Sequence, residues 1–388
     1  MYHSAYSKIL RHPRITYASL LLIILLGSAG GVFLLQKSDA VTPTQGPLSR
    51  QLVNVEEGLI RLTKPAPTLA ALQYAYVTSV YNDVLAGSSQ ADALFASGSM
   101  LTTLFPNQSS SITQSVKDLA KINNIEYLSG AQSPKAASIL QSYKNRYAHD
   151  GHDLVWNGVI PTGVGKWKQT TAVSPFTPRA GDWQRWVVTQ AITVLPPPTI
   201  GSAADNAQIN IVEQAVASRN GEDVNMINFW GGTPGSETPA GIWQNVAFNT
   251  LHKQLSTSAA VSDKQYALLQ KNLAQTISDA FMECWKVKYT YWSARPDMRI
   301  PGLKVAMHDP NFPGYISGHS TISKAAADVL GVMAPRYAKD WQAFAVQARN
   351  SRLVAGIHFD IDNSEGFAVG DNVGNQAIQT LQARKIIN

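Results

Sequence analysis

Hydrophobic residues recur every three or four positions along most of the chain, which is the spacing of an amphipathic helix. The first stripe begins near Thr68, and the pattern continues to about Tyr147. It resumes over 203–219, 240–258, 262–294, 319–334, 339–357 and 366–384. Segments that alternate like a half-buried strand are scarce. The pattern therefore predicts an all-α fold, either a helical bundle or a double bundle.

The helical pattern is interrupted at 148–202, where Trp, Gly and Pro are frequent and the run Pro196–Pro198 ends the segment. We expect irregular chain here, held by aromatic packing. Within it, His149–Asp153 has metal-ligand residue types, but its glycine-containing sequence favours a solvated turn. Asp360–Gly366 has carboxylates at a spacing near that of a calcium loop, but Glu365 stands where that loop needs glycine. Neither segment is predicted to bind a metal.

The N-terminal part has the properties of an exported protein. Residues 15–35 carry no charge and are long enough to cross a bilayer, and three basic residues precede them. The basic tail at 1–14 is expected to stay in the cytoplasm. We expect an uncleaved membrane anchor; the alternative is a cleaved signal peptide, with small residues available at 38–40. In both cases the remaining chain lies outside the cytoplasm, anchored in the cell envelope or secreted.

The remaining chain is predicted to contain a linker at 36–66, a helical region at 67–260 that includes the irregular segment, and a C-terminal catalytic helical domain at 261–388. Hydrophobic residues make up 45% of the 388 residues and charged residues 15%, which suits helices covered by other helices. The single cysteine, Cys284, excludes an intramolecular disulfide and a cysteine-based metal site. It is expected in the core.

The net charge of +6 does not indicate a nucleic-acid partner. Residues 1–37 hold four basic residues and no acidic one, so the rest of the chain carries only +2. No basic stripe with interleaved aromatic residues occurs there. We therefore expect no nucleic-acid binding. No oligomeric state follows from the sequence.

Basic residues occupy positions where the helical pattern predicts a core. In 262–294 the apolar stripe through Ile277 and Cys284 continues to Lys288 and then Arg295 at helical spacing. Arg352 continues the apolar stripe of 339–357 in the same way. Burying an unpaired cation costs several kcal/mol, so three inward cations need an anion. A bound tetrahedral oxyanion would satisfy them.

Three further elements fit such an anion. Ser317-Gly318-His319 opens a helix, so its backbone N–H groups and the helix dipole favour negative charge, and His319 falls on the apolar face. His358 and Asp362 are four residues apart, which lets the carboxylate hold Nδ1 and leave Nε2 free. His319 is then expected opposite His358, as an acid or base.

These residues form a recognisable set of motifs. Lys288–Pro296, Ser317–His319 and Ser351–Asp362 resemble, in order and spacing, the three signature motifs of the type 2 phosphatidic acid phosphatase and vanadium-dependent haloperoxidase superfamily. Ile316 differs from the proline usual before Ser-Gly-His. The flanking segments, such as Trp230–Trp243, resemble bacterial secreted haloperoxidase-like members.

The resemblance implies a role for each residue. The oxyanion would be held by Lys288, Arg295, Ser317, Gly318 and Arg352. His358 would bind its central atom, Asp362 would orient His358, and His319 would be the general acid or base. With vanadate as cofactor, and with His358 as the vanadium ligand, the activity implied is oxidation of halide by hydrogen peroxide, in which Lys288 also takes part.

The same set of residues is compatible with other activities. One is a phosphatase without cofactor that hydrolyses phosphomonoesters through a phosphohistidine at His358. Trp285 and Phe312 resemble aromatic residues that line the pocket of chloroperoxidase-type members, and they favour the haloperoxidase. A third alternative is an exported anion-binding protein without catalytic activity.

Overall fold

The computed structural model describes residues 46–126, 133–169, 171–252 and 262–387, which belong to one compact unit. The predicted basic tail at 1–14 and the predicted anchor or signal segment at 15–35 lie outside these residues and stay predictions. Within the described ranges, no helix combines the length and the apolar character needed to cross a bilayer.

The described residues form twelve α-helices and no β-structure beyond two isolated bridges, so the all-α prediction is confirmed. The helices are α1 (Leu48–Thr63), α2 (Pro67–Leu85), α3 (Gln90–Leu104), α4 (Ser109–Ile122), α5 (Pro134–Tyr147), α6 (Ala203–Ala217), α7 (Gly221–Phe229), α8 (Thr238–His252), α9 (Asp263–Tyr291), α10 (Gly318–Met333), α11 (Ala338–Val354) and α12 (Asp360–Ala383).

The prediction of a linker at 36–66 is wrong for its second half. Residues 48–63 form α1, and most of its side chains are buried in the core. The apolar residues Leu48, Leu52 and Leu59 recur at helical spacing and place one face of α1 against the bundle. This helix is therefore part of the folded unit and not of a linker.

The long helix α9 organises the core. The Ser262 side chain caps its first turn by accepting a hydrogen bond from Gln265 N–H at 3.3 Å, and most of its length is buried. It packs against α2 on one side and against α10 on another, while α10 packs against α11 and α12. The ends of these four C-terminal elements carry the predicted motifs, so their packing brings the motifs together.

Close approach of α12 to α10 depends on glycine. A Cβ atom at Gly366 would lie 2.8 Å from the Ser317 carbonyl oxygen, and one at Gly370 would overlap the Thr321 carbonyl oxygen. Ser317 N–H also donates to the Asp362 carbonyl at 2.9 Å. The start of α10 is therefore fixed directly against the first turns of α12.

The irregular segment is attached to α9 by one buried carboxylate. Asp279 accepts hydrogen bonds from the backbone N–H groups of Trp186, Val187 and Val188 at 2.8–3.0 Å. Burial raises the pKa of Asp279 to about 6, although these three donors act in the opposite direction. Specific polar contacts therefore fix this non-helical chain, in addition to aromatic packing.

The prediction of a solvated turn at His149–Asp153 is wrong for Asp150. Its side chain is buried and accepts a hydrogen bond from Tyr76 Oη at 2.6 Å, and it also contacts His152 Nδ1 at 2.8 Å. The reason is that α2 packs on this turn. No group of three or more metal-ligand side chains occurs in the parts of the chain that the structure describes.

Candidate oxyanion site

Lys288 lies one turn before the end of α9 and is fully buried. Its Nζ donates to the carbonyl oxygens of Pro313 at 2.8 Å and Gly314 at 2.7 Å. Burial lowers the pKa of Lys288, and the positive charge of Arg295 adds to this shift. The burial predicted for this lysine is therefore present, with neutral carbonyls as its hydrogen-bond partners.

Arg295 follows α9 and does not extend it. The helix ends at Tyr291, because Trp292 takes a left-handed backbone conformation with φ of 52°. Arg295 is nevertheless fully buried. Its Nη1 donates to the Ile357 carbonyl at 2.8 Å, and its Nη2 donates to the Phe312 carbonyl at 3.2 Å.

Arg352 lies in the last turn of α11 and is also fully buried. Its Nε donates to Ser351 Oγ at 2.9 Å, its Nη1 contacts the Met307 thioether at 3.3 Å, and its Nη2 donates to the Ile227 carbonyl at 3.3 Å. Burial lowers the pKa of Arg352 to about 9, and the nearby Arg295 acts in the same direction.

The N-terminus of α10 lies beside these cations. Ser317 caps the helix by accepting a hydrogen bond from Ser320 N–H at 3.4 Å, and both Ser317 and Gly318 are buried. A Cβ atom at Gly318 would lie 3.5 Å from the Trp285 ring. The charges of Arg352, Lys288 and Arg295 all act on His319 in the first turn of α10, so this helix N-terminus lies near the three cations.

His319 hydrogen-bonds to a backbone carbonyl from the other side of the bundle. Its Nε2 lies 2.6 Å from the Trp230 carbonyl oxygen, which only accepts, so Nε2 carries the hydrogen. Burial lowers the pKa of His319 well below its ordinary value, and the charge of Arg352 adds to the effect. The ring is therefore neutral, with Nδ1 unprotonated.

His358 has the orientation predicted from its spacing to Asp362. Its Nδ1 lies 2.9 Å from Asp362 Oδ2, which also accepts the Phe359 N–H at 3.2 Å. His358 Nε2 lies 3.4 Å from Arg295 Nη1. Burial lowers the pKa of His358 well below its ordinary value, and the charges of Arg295 and Lys288 lower it further. The imidazole is neutral and its Nε2 faces the cations.

Trp285 and Phe312 lie beside Lys288. Their ring centroids are 4.7 Å apart, and Lys288 Nζ lies 5.7 Å from the Trp285 ring and 5.2 Å from the Phe312 ring. The indole Nε1 of Trp285 donates to the Phe176 carbonyl at 3.0 Å, which links the irregular segment to the site. The two aromatic residues therefore form one wall next to the lysine.

The donor set fits a tetrahedral oxyanion. Lys288, Arg295 and Arg352 are all fully buried, and the charge of each guanidinium affects the pKa of His358 and of His319. Burial of three cations is expensive unless they have a counter-charge. Their hydrogen bonds go mainly to neutral carbonyls, so an anion would add the missing negative charge.

Sequence reasoning missed two residues of this neighbourhood. The Trp230 carbonyl holds His319, and no contact at the site was predicted for Trp230 from the sequence. The Asp309 carboxylate lies 4.0 Å from Arg295 Nε. Both residues lie outside periodic helical stretches, so no spacing pattern indicated their position.

Comparison with known proteins agrees with this description. Residues 331–385 match the family model of the VCPO second helical-bundle domain. The chain is similar to a bacterial vanadium-dependent iodoperoxidase, with a TM-score of 0.72 and 18% identity over 88% of this chain and 98% of that one. It is also similar to the holo and apo forms of a bacterial vanadium-dependent chloroperoxidase, with TM-scores of 0.61 and 0.63 and 12% identity over 84% of this chain and 97% of each of those. No curated protein matches the sequence.

The chain therefore has the fold of the bacterial vanadium-dependent haloperoxidases. This fold and the match of residues 331–385 agree with the superfamily that the three motifs resemble.

Proposed function

We propose that this protein is a vanadium-dependent haloperoxidase, which binds vanadate and oxidises halide with hydrogen peroxide. The observation that carries the proposal is the group of three fully buried cations, Lys288, Arg295 and Arg352, around two neutral histidines. The aromatic wall of Trp285 and Phe312 beside Lys288 favours this activity over the alternative below.

The protein groups that would hold vanadate are these three cations, Ser317 and the backbone of Gly318, with His358 Nε2 as the vanadium ligand. Bound vanadate would supply a Lewis-acid centre at which peroxide is activated. The guanidinium groups and the ammonium group would stabilise negative charge on its oxygens. Because they are buried among protein atoms, their charges act with little screening by water.

Asp362 determines which nitrogen of His358 is free. Burial raises the pKa of Asp362 to about 7, whereas Lys288 and Arg295 favour its ionised form. The ionised carboxylate only accepts, so the hydrogen of the neutral His358 ring then lies on Nδ1 and the lone pair lies on Nε2. The low pKa of His358, caused by burial and by Arg295, keeps that lone pair available at neutral pH. Asp362 therefore acts through His358 as a positioning residue.

His319 is suited to accept a proton at the site. The Trp230 carbonyl holds its Nε2–H, so Nδ1 is the unprotonated atom. Halide oxidation by peroxide consumes protons, and a bound anion would offset the cations that now disfavour protonation of this ring. His319 would then hold a proton at Nδ1 and deliver it during the reaction.

The direct test is halogenation of a dione by purified protein with vanadate, peroxide and bromide or chloride. We expect turnover that requires vanadate and is abolished in His358→Ala. His149→Ala is the matched control, because the side chain of that histidine is exposed and contacts the Asn145 carbonyl. Absence of turnover together with absence of vanadate binding would remove the proposal.

A phosphatase is the second candidate, and the unprotonated Nε2 of His358, which faces Arg295, is the observation that favours it. A neutral imidazole held by a carboxylate is a competent nucleophile towards phosphorus, and the same cations would stabilise a phosphoryl group. Hydrolysis of an aryl phosphate, measured on the same preparation, would distinguish the two. Phosphate binding without turnover of either substrate would instead support an anion-binding protein.

A further inference from the structure

A buried carboxylate without a hydrogen-bond donor lies next to the candidate oxyanion site. Asp309 belongs to the loop before α10, and its side chain is only 5% exposed. Among the described residues, no hydrogen-bond partner reaches either of its carboxylate oxygens. Carboxylates are rarely buried without donors, because the loss of hydration is not replaced. Its position therefore needs an explanation.

The charged groups that face Asp309 are Arg295 and Asp297. Arg295 Nε lies 4.0 Å from Asp309 Oδ1 and favours the ionised carboxylate. Asp297 is exposed, and its negative charge disfavours ionisation of Asp309. Burial and Asp297 together raise the pKa of Asp309 to about 7, against the effect of Arg295. The charge of Asp309 therefore depends closely on what Arg295 contacts.

Arg295 does not need Asp309 to hold its position. Its Nη1 donates to the Ile357 carbonyl at 2.8 Å, and its Nε and Nη2 donate to the Phe312 carbonyl at 3.3 and 3.2 Å. These carbonyls fix the guanidinium plane at both ends. The carboxylate is a longer-range partner, so its main effect on Arg295 is electrostatic.

An oxyanion and the Asp309 carboxylate would compete for the same cation. Both are stabilised by Arg295, and each repels the other across a buried region where charges are weakly screened. An anion bound at Arg295 would oppose ionisation of Asp309, and the carboxyl group would take up a proton. The linkage is reciprocal, so protonation of Asp309 strengthens anion binding by the same factor.

We propose that Asp309 is the internal counter-ion of the oxyanion site, which partners Arg295 in the absence of an oxyanion and takes up a proton when one binds. This inference rests on the oxyanion site of the proposed function. Asp309 is a charge-balancing residue that acts through Arg295.

The test uses inorganic sulfate, a tetrahedral dianion whose own charge is constant across the neutral range. Calorimetric titrations of the full chain near pH 7, in two buffers of different ionisation enthalpy, give both the affinity and the number of protons taken up. We expect the wild type to take up a fraction of a proton, and Asp309→Asn to take up less and to bind sulfate about tenfold more tightly.

Two further variants separate charge from structure. Asp309→Glu keeps a carboxyl group, so we expect it to retain the proton uptake. Asp182→Asn removes an exposed carboxylate that pairs with Arg179, and we expect the affinity and the proton uptake of the wild type. Thermal unfolding of each variant checks that it is folded.

The counter-ion role would be overturned if folded Asp309→Asn bound sulfate no more tightly than the wild type does. It would also be overturned if the variant took up as many protons as the wild type. Either result would leave the proposed function standing. Failure of the wild type and of Asp309→Asn to bind sulfate, phosphate or vanadate would overturn both. Halogenation measured on the same wild-type preparation keeps the two failures distinct.

Discussion

Spacing along the sequence predicts the burial of some side chains of the candidate site better than that of others. Lys288 and Arg352 lie on helices, where a stripe of apolar residues fixes which face is buried, and both are buried as expected. Arg295 is buried as well, although α9 ends before it. Asp309 and the Trp230 carbonyl lie in loops, whose backbone path no periodicity describes, so their contacts required the structure.

Asp362→Asn tests the role of the carboxylate behind His358. The change keeps the shape but removes the charge that holds Nδ1–H at 2.9 Å, so both ring tautomers become accessible. We expect vanadate affinity or halogenation activity to fall by about 10- to 100-fold, the usual effect of losing such a partner. Binding and steady-state assays of the folded variant measure this, and wild-type values in both would contradict it.

Helices were easier to predict than the chain between them, since periodicity carries over many turns. The α9, α10, α11 and α12 patterns were found within a few residues of their ends, except that α12 begins at Asp360 and not near 366. The helix α1 was assigned to a linker because residues 38–66 are rich in Pro, Thr, Ser and Gln. Its burial depends on long-range packing that local composition does not report.

Gly370→Ala tests the close packing of α12 against α10. The added methyl group would overlap the Thr321 carbonyl oxygen, which belongs to the backbone and cannot move without shifting α10. We expect a loss of about 1–3 kcal/mol in the free energy of unfolding and weaker oxyanion binding, because Ser317 and Gly318 begin the same helix.

Gly331→Ala is the matched control on α10 itself. The nearest atom to its added Cβ is Ala338 Cβ at 3.9 Å, an ordinary contact, so we expect stability unchanged or raised by up to about 1 kcal/mol. Urea unfolding of both variants makes the comparison. An equal effect of the two substitutions would show that helix propensity, and not the contact between α10 and α12, governs the result.

Across the whole molecule, several acidic groups are buried away from the candidate site, and they couple stability to pH. Glu56 on α1 is fully buried, and neither of its carboxylate oxygens has a hydrogen-bond partner among the described residues. Burial raises the pKa of Glu56 well above its ordinary value of 4.5, and the neighbouring Glu57 raises it further. The unfolded chain therefore releases this proton at a lower pH than the folded one.

Glu56→Gln is expected to become more stable relative to the wild type as pH rises from about 5 to about 8. In the wild type, ionisation of Glu56 favours the unfolded state above pH 4.5. Between pH 4.5 and the folded-state pKa of Glu56, the free energy of unfolding falls by up to about 1.4 kcal/mol for each pH unit. Urea unfolding at both pH values measures the difference, with the exposed Glu213→Gln as control. A difference that does not change with pH, or changes in the opposite direction, would refute the burial argument.

The central claim is that three buried cations form a site for a tetrahedral oxyanion, and calorimetric titration of the purified protein with orthovanadate tests it most directly. We predict that each chain binds one vanadate and that phosphate competes for the same site. In a folded Arg352→Met variant, we predict a vanadate affinity at least about tenfold lower. Absence of binding by the wild type, or equal affinity in Arg352→Met, would contradict the account.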